Sequence, residues 1–206
     1  MNDYNYPEQG ASRTGELPAG YNHLRHSALI GHGRPSLEAA GAALLDWRMH
    51  RLAGVRIDST ADRAAPGVAV RCAIGLGPLR AGAPNRVLAA FDGPDRYGFT
   101  YGTRAGHLAR GEETFLVELA PDGAVRFSVT AFSRPVAWYA RLAGPLLPLA
   151  QRAFARHCGH VLARIAAGPV GRRTVGRRTV GQRTVGQRTV GRRTVGPGHG
   201  GAWRQG

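Results

Sequence analysis

Residues 113–131, ETFLVELAPDGAVRFSVTA, decide the fold. In each half of this stretch apolar side chains recur at every second position: Phe115, Val117 and Leu119, then Val125, Phe127, Val129 and Ala131. A period of two sends alternate side chains to opposite faces of a pleated strand, so the rows predict two strands with one buried face each. Pro121-Asp122-Gly123 between them has the chemistry of a tight turn and pairs the strands antiparallel.

Upstream, the same period returns in Tyr97, Phe99, Tyr101 and Thr103, in Val87, Ala89 and Phe91, and in Val68, Val70, Cys72 and Ile74. Gly93-Pro94-Asp95 supplies another turn. Val55 to Ser133 therefore reads as an antiparallel meander of about six strands with one buried face, which Pro135 ends. Before it, a short strand over Tyr21–Ile30 leads to a helix capped by Ser36, with Leu37, Ala40, Leu44, Trp47 and Leu52 at helical spacing and Gly54 past its end. After it, a helix broken near Gly144-Pro145 and Pro148 runs to about Ala166, with Leu149, Ala153, Cys158, Val161 and Ile165 near one face. One helix, a run of strands and a long closing helix predict an α+β fold. A curved antiparallel sheet wraps on the C-terminal helix, with room for a pocket between them.

The remaining sequence is of another kind. From Val170 the unit Gly-Arg-Arg-Thr-Val repeats, with Gln182 and Gln187 replacing arginine in two copies. A period of five suits neither helix nor strand, and valine once per five residues cannot offset the entropy of ordering. The division expected is an α+β domain over residues 1–168 and a disordered arginine-rich tail over 169–206. All 28 basic residues are arginines, against 13 acids; nine of them and no acid lie from Val170 onward, so the formal charge of +15 sits largely on the tail. Tandem duplication of a short DNA segment accounts for such repeats without any role. With a role, the tail would attract nucleic acid or an anionic surface without sequence preference.

Cys72 and Cys158, the only cysteines, read as buried reduced thiols and not as a disulfide framework. No apolar run approaches the roughly 18 residues of a membrane span, and the first residues lack the pattern of a signal peptide. A cytoplasmic location is the expectation.

Several separated segments together resemble one family. These are Asn5-Tyr6-Pro7-Glu8, Trp47-Arg48-Met49-His50, Tyr101-Gly102-Thr103 with Gly106-His107, Gly111-Glu112-Glu113, and Ala131-Phe132-Ser133-Arg134-Pro135. In this order they resemble the uncharacterised family DUF1990, also known as UPF0548, over roughly residues 4–166; the Gln9 to Ser12 neighbourhood departs from its opening motif. The resemblance implies a helix-grip fold, like START and pollen-allergen (Bet v 1) proteins. Members of that wider group hold apolar ligands in a cavity, and some are cyclases or hydrolases. It transfers no catalytic residue.

Among residues able to carry chemistry, Glu113 stands out because it shares a strand face with Phe115, Val117 and Leu119, while Glu112 points the other way. Burial would raise its pKa and suit it to proton transfer. The alternative is a solvated strand end paired with Arg104 or Arg134. His107 lies just upstream, near enough in sequence to form a proton-transfer pair with Glu113 across a hairpin, or to order its glycine-rich loop. Tyr97, Phe99 and Tyr101 read as core or as a ligand-facing aromatic wall. Trp47 packs, and Arg48 could bind a carboxylate or an anionic ligand head. His157, Cys158 and His160 have donor atoms at spacing poor for a metal, and no cofactor is expected. The leading expectation is a small apolar or amphipathic ligand in an internal cavity, with Glu113, His107, Tyr101 and Arg134 at its polar end. An enzyme of START-like fold and a polyanion binder acting through the tail are the alternatives.

Overall fold

The inward rows assemble into one seven-stranded antiparallel sheet, seen in a computed structural model that describes residues 3–74, 81–136 and 146–168. The strands are β1 (Asn22–His32), β2 (Arg56–Ser59), β3 (Ala69–Ile74), β4 (Ala81–Asp92), β5 (Arg96–Thr103), β6 (Ala109–Leu119) and β7 (Ala124–Pro135). Their spatial order is β1-β7-β6-β5-β4-β3-β2, a meander from β2 to β7 on which β1 closes as the far neighbour of β7. Register shifts at Leu29/Gly31 and Val87/Ala89 are bulges, which bend strands and deepen the curl. The short strand β2 is the one member of the meander without an apolar row to announce it. The expected reading of the tail falls on residues outside those described, as does the segment around Gly144-Pro145.

Among the described residues four helices accompany the sheet: α1 (Ala11–Thr14), α2 (Gly33–Leu45), α3 (Arg48–Leu52) and α4 (Leu146–Ala166). The long α4 packs chiefly on β1 and α2, while α2 lies across β5 and β6. The core between them includes Leu37, Leu44, Trp47, Phe99, Phe115, Phe127, Cys158 and Leu162, all essentially inaccessible. Burying that much apolar surface is what holds helix to sheet. Gly41 lets α2 approach: a Cβ there would stand 2.3 Å from Cγ of Tyr97, closer than any side chain tolerates.

Two local expectations change. The helix after β1 begins at Gly33, and Ser36 does not cap it; Ser36 Oγ instead donates to the carbonyl of Ala166 at the end of α4. Nor does that helix run through Trp47, whose left-handed backbone (φ 60°) separates α2 from α3. Burying the indole, which donates to the Ala61 carbonyl at 3.3 Å, outweighs the backbone preference.

The sheet also has more than one covered face. Residues 4–14 lie against the outer side of β5, β6 and β7, tied by a Tyr4–Arg104 bridge and by Asn5, whose amide donates to the carbonyls of Arg104 and Ala109. Among the described residues, no helix is long and apolar enough to cross a membrane.

Candidate functional site

On the inner face, the register sets Tyr101 of β5 directly opposite Glu113 of β6. The Tyr101 hydroxyl donates to Glu113 Oε2 at 2.8 Å. Glu113 is five residues into its strand, not at a frayed end, and Arg104 is ion-paired elsewhere, with Asp3. Burial pushes the Glu113 carboxyl up to about 7, although the Tyr101 bond favours the charged form. Burial, then the Glu113 charge, raise the Tyr101 hydroxyl well above its ordinary value.

Neighbouring strands and α4 add three groups. Cys72 on β3 and Cys158 on α4 are both pushed up to about 12, by burial first and then by the Glu113 charge. Neither is a thiolate near neutral pH, so neither is a ready nucleophile. Asn85 of β4, 3% exposed, stands beside Cys72; its amide donates to the Ala83 carbonyl at 2.9 Å, and its Oδ1 has no partner. Glu113, Tyr101 and Cys72 are half-buried, whereas Phe99 and Phe115 beside them are closed off.

The other anticipated residues are spread out. Tyr97 packs under Gly41, and Phe99 lies in the core with its ring 4.9 Å from Trp47. His107 stays in the β5–β6 turn, where its Nδ1 accepts the Ala109 amide at 2.9 Å, and burial lowers its pKa. Four strand residues separate Ala109 from Glu113, roughly 13 Å at about 3.3 Å per residue, so His107 and Glu113 are not brought together. Arg134 is exposed on the outer face, its guanidinium 5.3 Å from the Tyr21 ring centre. Arg48 is exposed at a recess of about 440 Å³ between α3 and α4. His157 and His160 are exposed, while Cys158 between them is in the core.

Sequence reasoning missed the part played by Glu112. Its side chain takes the outer face and is 3% exposed, yet it is fully partnered: Oε2 accepts from Tyr6 Oη (2.8 Å) and Gly10 N (2.7 Å), and Oε1 from Ser12 N (3.0 Å) and Ser12 Oγ (2.6 Å). Ser12, Thr114 and Thr100 continue the chain of hydroxyls across the strands. Gly102 makes room, since a Cβ there would stand 2.1 Å from Tyr6 Oη. Thus Asn5-Tyr6-Pro7-Glu8 and Gly111-Glu112-Glu113 meet as one structural lock. His50 was noticed only for its motif. It is buried among Trp47, Phe99 and Phe115 with both ring nitrogens unpartnered, and burial lowers its pKa to about 3.

Glu113 makes a definite pH prediction. Its folded pKa is raised above the unfolded value of about 4.3, so the folded state holds a proton that the unfolded state has released. Its contribution is complete below about pH 4.3 and is lost as pH rises through about 7. Glu113→Gln keeps the shape without the charge. It is expected to exceed the wild type in stability by about 2 kcal/mol at pH 8, allowing for the half-accessible carboxyl, and to lose that advantage at pH 4. Urea unfolding at the two pH values reads the difference; an equal offset at both would show that Glu113 does not titrate in this range.

A sheet curled around one long C-terminal helix, with an acid and a tyrosine paired on its inner face, defines an α+β protein of the helix-grip class. The chain belongs to the DUF1990 family, whose model, described as a domain of unknown function, matches residues 5–161. It is 39% identical over 171 residues to a UPF0548 protein of Deinococcus radiodurans, covering 78% of this chain and 86% of the relative. A UPF0548 protein of Arabidopsis thaliana is 30% identical over 148 residues, covering 69% and 71%. Among solved structures, a hypothetical protein from Helicobacter pylori aligns with a TM-score of 0.57 at 12% identity, covering 81% of this chain and 97% of that one. A Thermus thermophilus protein aligns at 0.52 and 14% identity, covering 70% and 97%. At these identities the structural likeness concerns the fold alone.

Proposed function

We propose that this domain binds a small apolar or amphipathic molecule between the inner sheet face and α4, with the Tyr101–Glu113 pair as its polar anchor. The observation that carries this reading is the inward-facing pair itself. Its carboxyl is desolvated enough to titrate near 7, yet both side chains keep accessible surface. A half-buried acid and hydroxyl beside closed-off aromatic rings supply the few convergent polar groups that an apolar ligand site usually has. The unpartnered Oδ1 of Asn85 adds an acceptor on the same face. Near neutral pH, Glu113 can donate a hydrogen bond to a ligand carbonyl or hydroxyl, or accept one once ionised.

Screening the full chain against lipids and polyketide-like compounds, by thermal shift and native mass spectrometry, tests the proposal. A one-to-one complex is expected to stabilise the fold by about 2.7 kcal/mol at a hundredfold excess over Kd. Tyr101→Phe, which keeps the ring, should weaken a ligand with a polar head and spare a wholly apolar one. An experimental structure with the interior solidly filled and Glu113 facing bulk water would end this reading.

A catalytic reading survives only in altered form. With His107 held at Ala109, a proton-transfer pair would have to be Glu113 and Tyr101, and Glu113→Gln would abolish turnover of any compound found to bind while only weakening its binding. In the same scheme residues 1–168 are the binding domain and 169–206 an appendage with affinity for polyanions. Binding to nucleic acid that fades steeply with salt and vanishes on removal of residues 170–206 would be its signature.

A further inference from the structure

On the outer face, at the end of the sheet bearing the β5–β6 turn, a recess of about 310 Å³ is lined by Asp3, Arg71, Pro84, Arg104, Ala105 and Gly106. Two guanidiniums converge on one carboxylate oxygen there: Arg104 Nη2 and Arg86 Nη1 lie 2.6 Å and 3.0 Å from Asp3 Oδ2. The Nε atoms of Arg86 and Arg104 are shielded from solvent and have no partner. Among the described residues Arg71 makes no ion pair within 4.0 Å, although Asp58 is its cross-strand neighbour on β2. Its side chain leans instead over Gly82, with Nη1 3.1 Å from where a Cβ would stand, and Arg71 is among the residues lining the recess.

Arg71 and Arg104 line the recess, and Arg86 shares Asp3 with Arg104, so guanidinium outnumbers carboxylate there. Elsewhere among the described residues the balance differs: Arg34 has Asp95 to itself, and Arg63 lies between Asp46 and Asp92. Glu112 cannot make up the deficit. It lies two strands from Arg86, roughly 10 Å at about 4.8 Å per strand, and its oxygens are committed to Tyr6, Gly10 and Ser12. The frame holding the arginines is set by backbone bonds, Arg104 N to the Pro84 carbonyl and the Tyr4–Arg104 bridge. Planar guanidinium forks match tetrahedral oxyanions bidentately, so a phosphate group suits a recess where guanidinium outnumbers carboxylate.

We infer that Arg71 and Arg104 bind a phosphate group in this recess, with Asp3 as the internal anion that shares it and Arg86 as the guanidinium paired to Asp3. The site is separate from the inner face and does not rest on the ligand reading above.

The test is calorimetric titration of the full chain with inorganic phosphate and with phenyl phosphate, against chloride at constant ionic strength. Tail arginines contribute equally to wild type and point variants, so the comparison isolates the recess. Saturable binding is expected, weakened about tenfold by Arg71→Gln, the order of one charge-assisted hydrogen bond. Asp3→Asn should tighten it, because a competing carboxylate is gone. Arg71 is exposed and outside any ion pair, so its variant should fold, which circular dichroism verifies. Equal affinity for the two probes assigns the site to free phosphate, and tighter binding of the ester assigns it to a phosphorylated molecule; either supports the inference. Affinity unchanged in Arg71→Gln, or absence of saturable binding, overturns it.

Discussion

Glu112→Ala is expected to lower the unfolding free energy by about 4 kcal/mol, a large share of the roughly 5–15 kcal/mol that separates folded from unfolded domains. The carboxylate receives two side-chain hydroxyls and two backbone amides at 2.6–3.0 Å, in a setting 3% exposed. Removing it strands four buried donors, each worth about 1–3 kcal/mol when left unmet. The sum would be larger, but α1 and its neighbours can lift away and hydrate, which limits the loss. Glu112→Gln should fall between, since its amide keeps one acceptor and sets an N–H₂ against N–H donors. Urea unfolding gives the energy, and limited proteolysis should find new cleavage within residues 3–20. A loss below about 1 kcal/mol would mean that the N-terminal segment is not held by this acid.

Acid sensitivity should trace to His50. Its ring is enclosed by Trp47, Phe99 and Phe115 with no partner for either nitrogen, and burial takes its pKa to about 3. Unfolded histidine titrates near 6.5, so between about pH 6.5 and 3 only the unfolded state binds this proton. The stability His50 contributes is therefore complete above about pH 6.5 and is lost as pH falls, by about 3 kcal/mol at pH 4. His50→Phe removes the titration while keeping an aromatic ring in an aromatic setting. The variant should match or exceed the wild type at pH 7 and lead it by about 3 kcal/mol more at pH 4. Parallel stability–pH curves for the two proteins would refute this assignment. Glu113 slopes the other way, so the two buried groups together favour stability on the acid side of neutrality.

The elements most legible in the sequence were those with an unbroken period. The rows of β5, β6 and β7 have one face packed on helices, β3 adds Val70 to the same core, and a half-buried strand must alternate. Parity also sets Glu113 on the face of Phe115 and Val117 and Glu112 on the opposite one. What parity cannot convey is whether the outward face meets water. Glu112, Thr114 and Phe132 are buried there because a segment about 100 residues earlier folds over them. Ser36 looked like a helix cap because caps are recognised locally, yet its hydroxyl bonds to the far end of another helix. His107 and Glu113, six residues apart in the chain, seemed neighbours, but an extended strand carries them apart.

The sequence alone determined the α+β class, the order of the long helices and main strands, and the strand face that Glu113 shares with Phe115 and Val117, because periodicity and turn chemistry act over a few residues. Only the tertiary structure decided that Tyr101 is the partner of Glu113, that residues 4–14 lock onto Glu112, and that Arg71 and Arg104 line one recess with Asp3, which also pairs with Arg86. These depend on strand register and on chain segments distant in sequence. Local pattern does not encode which remote group arrives at a given face; packing of the whole chain selects it.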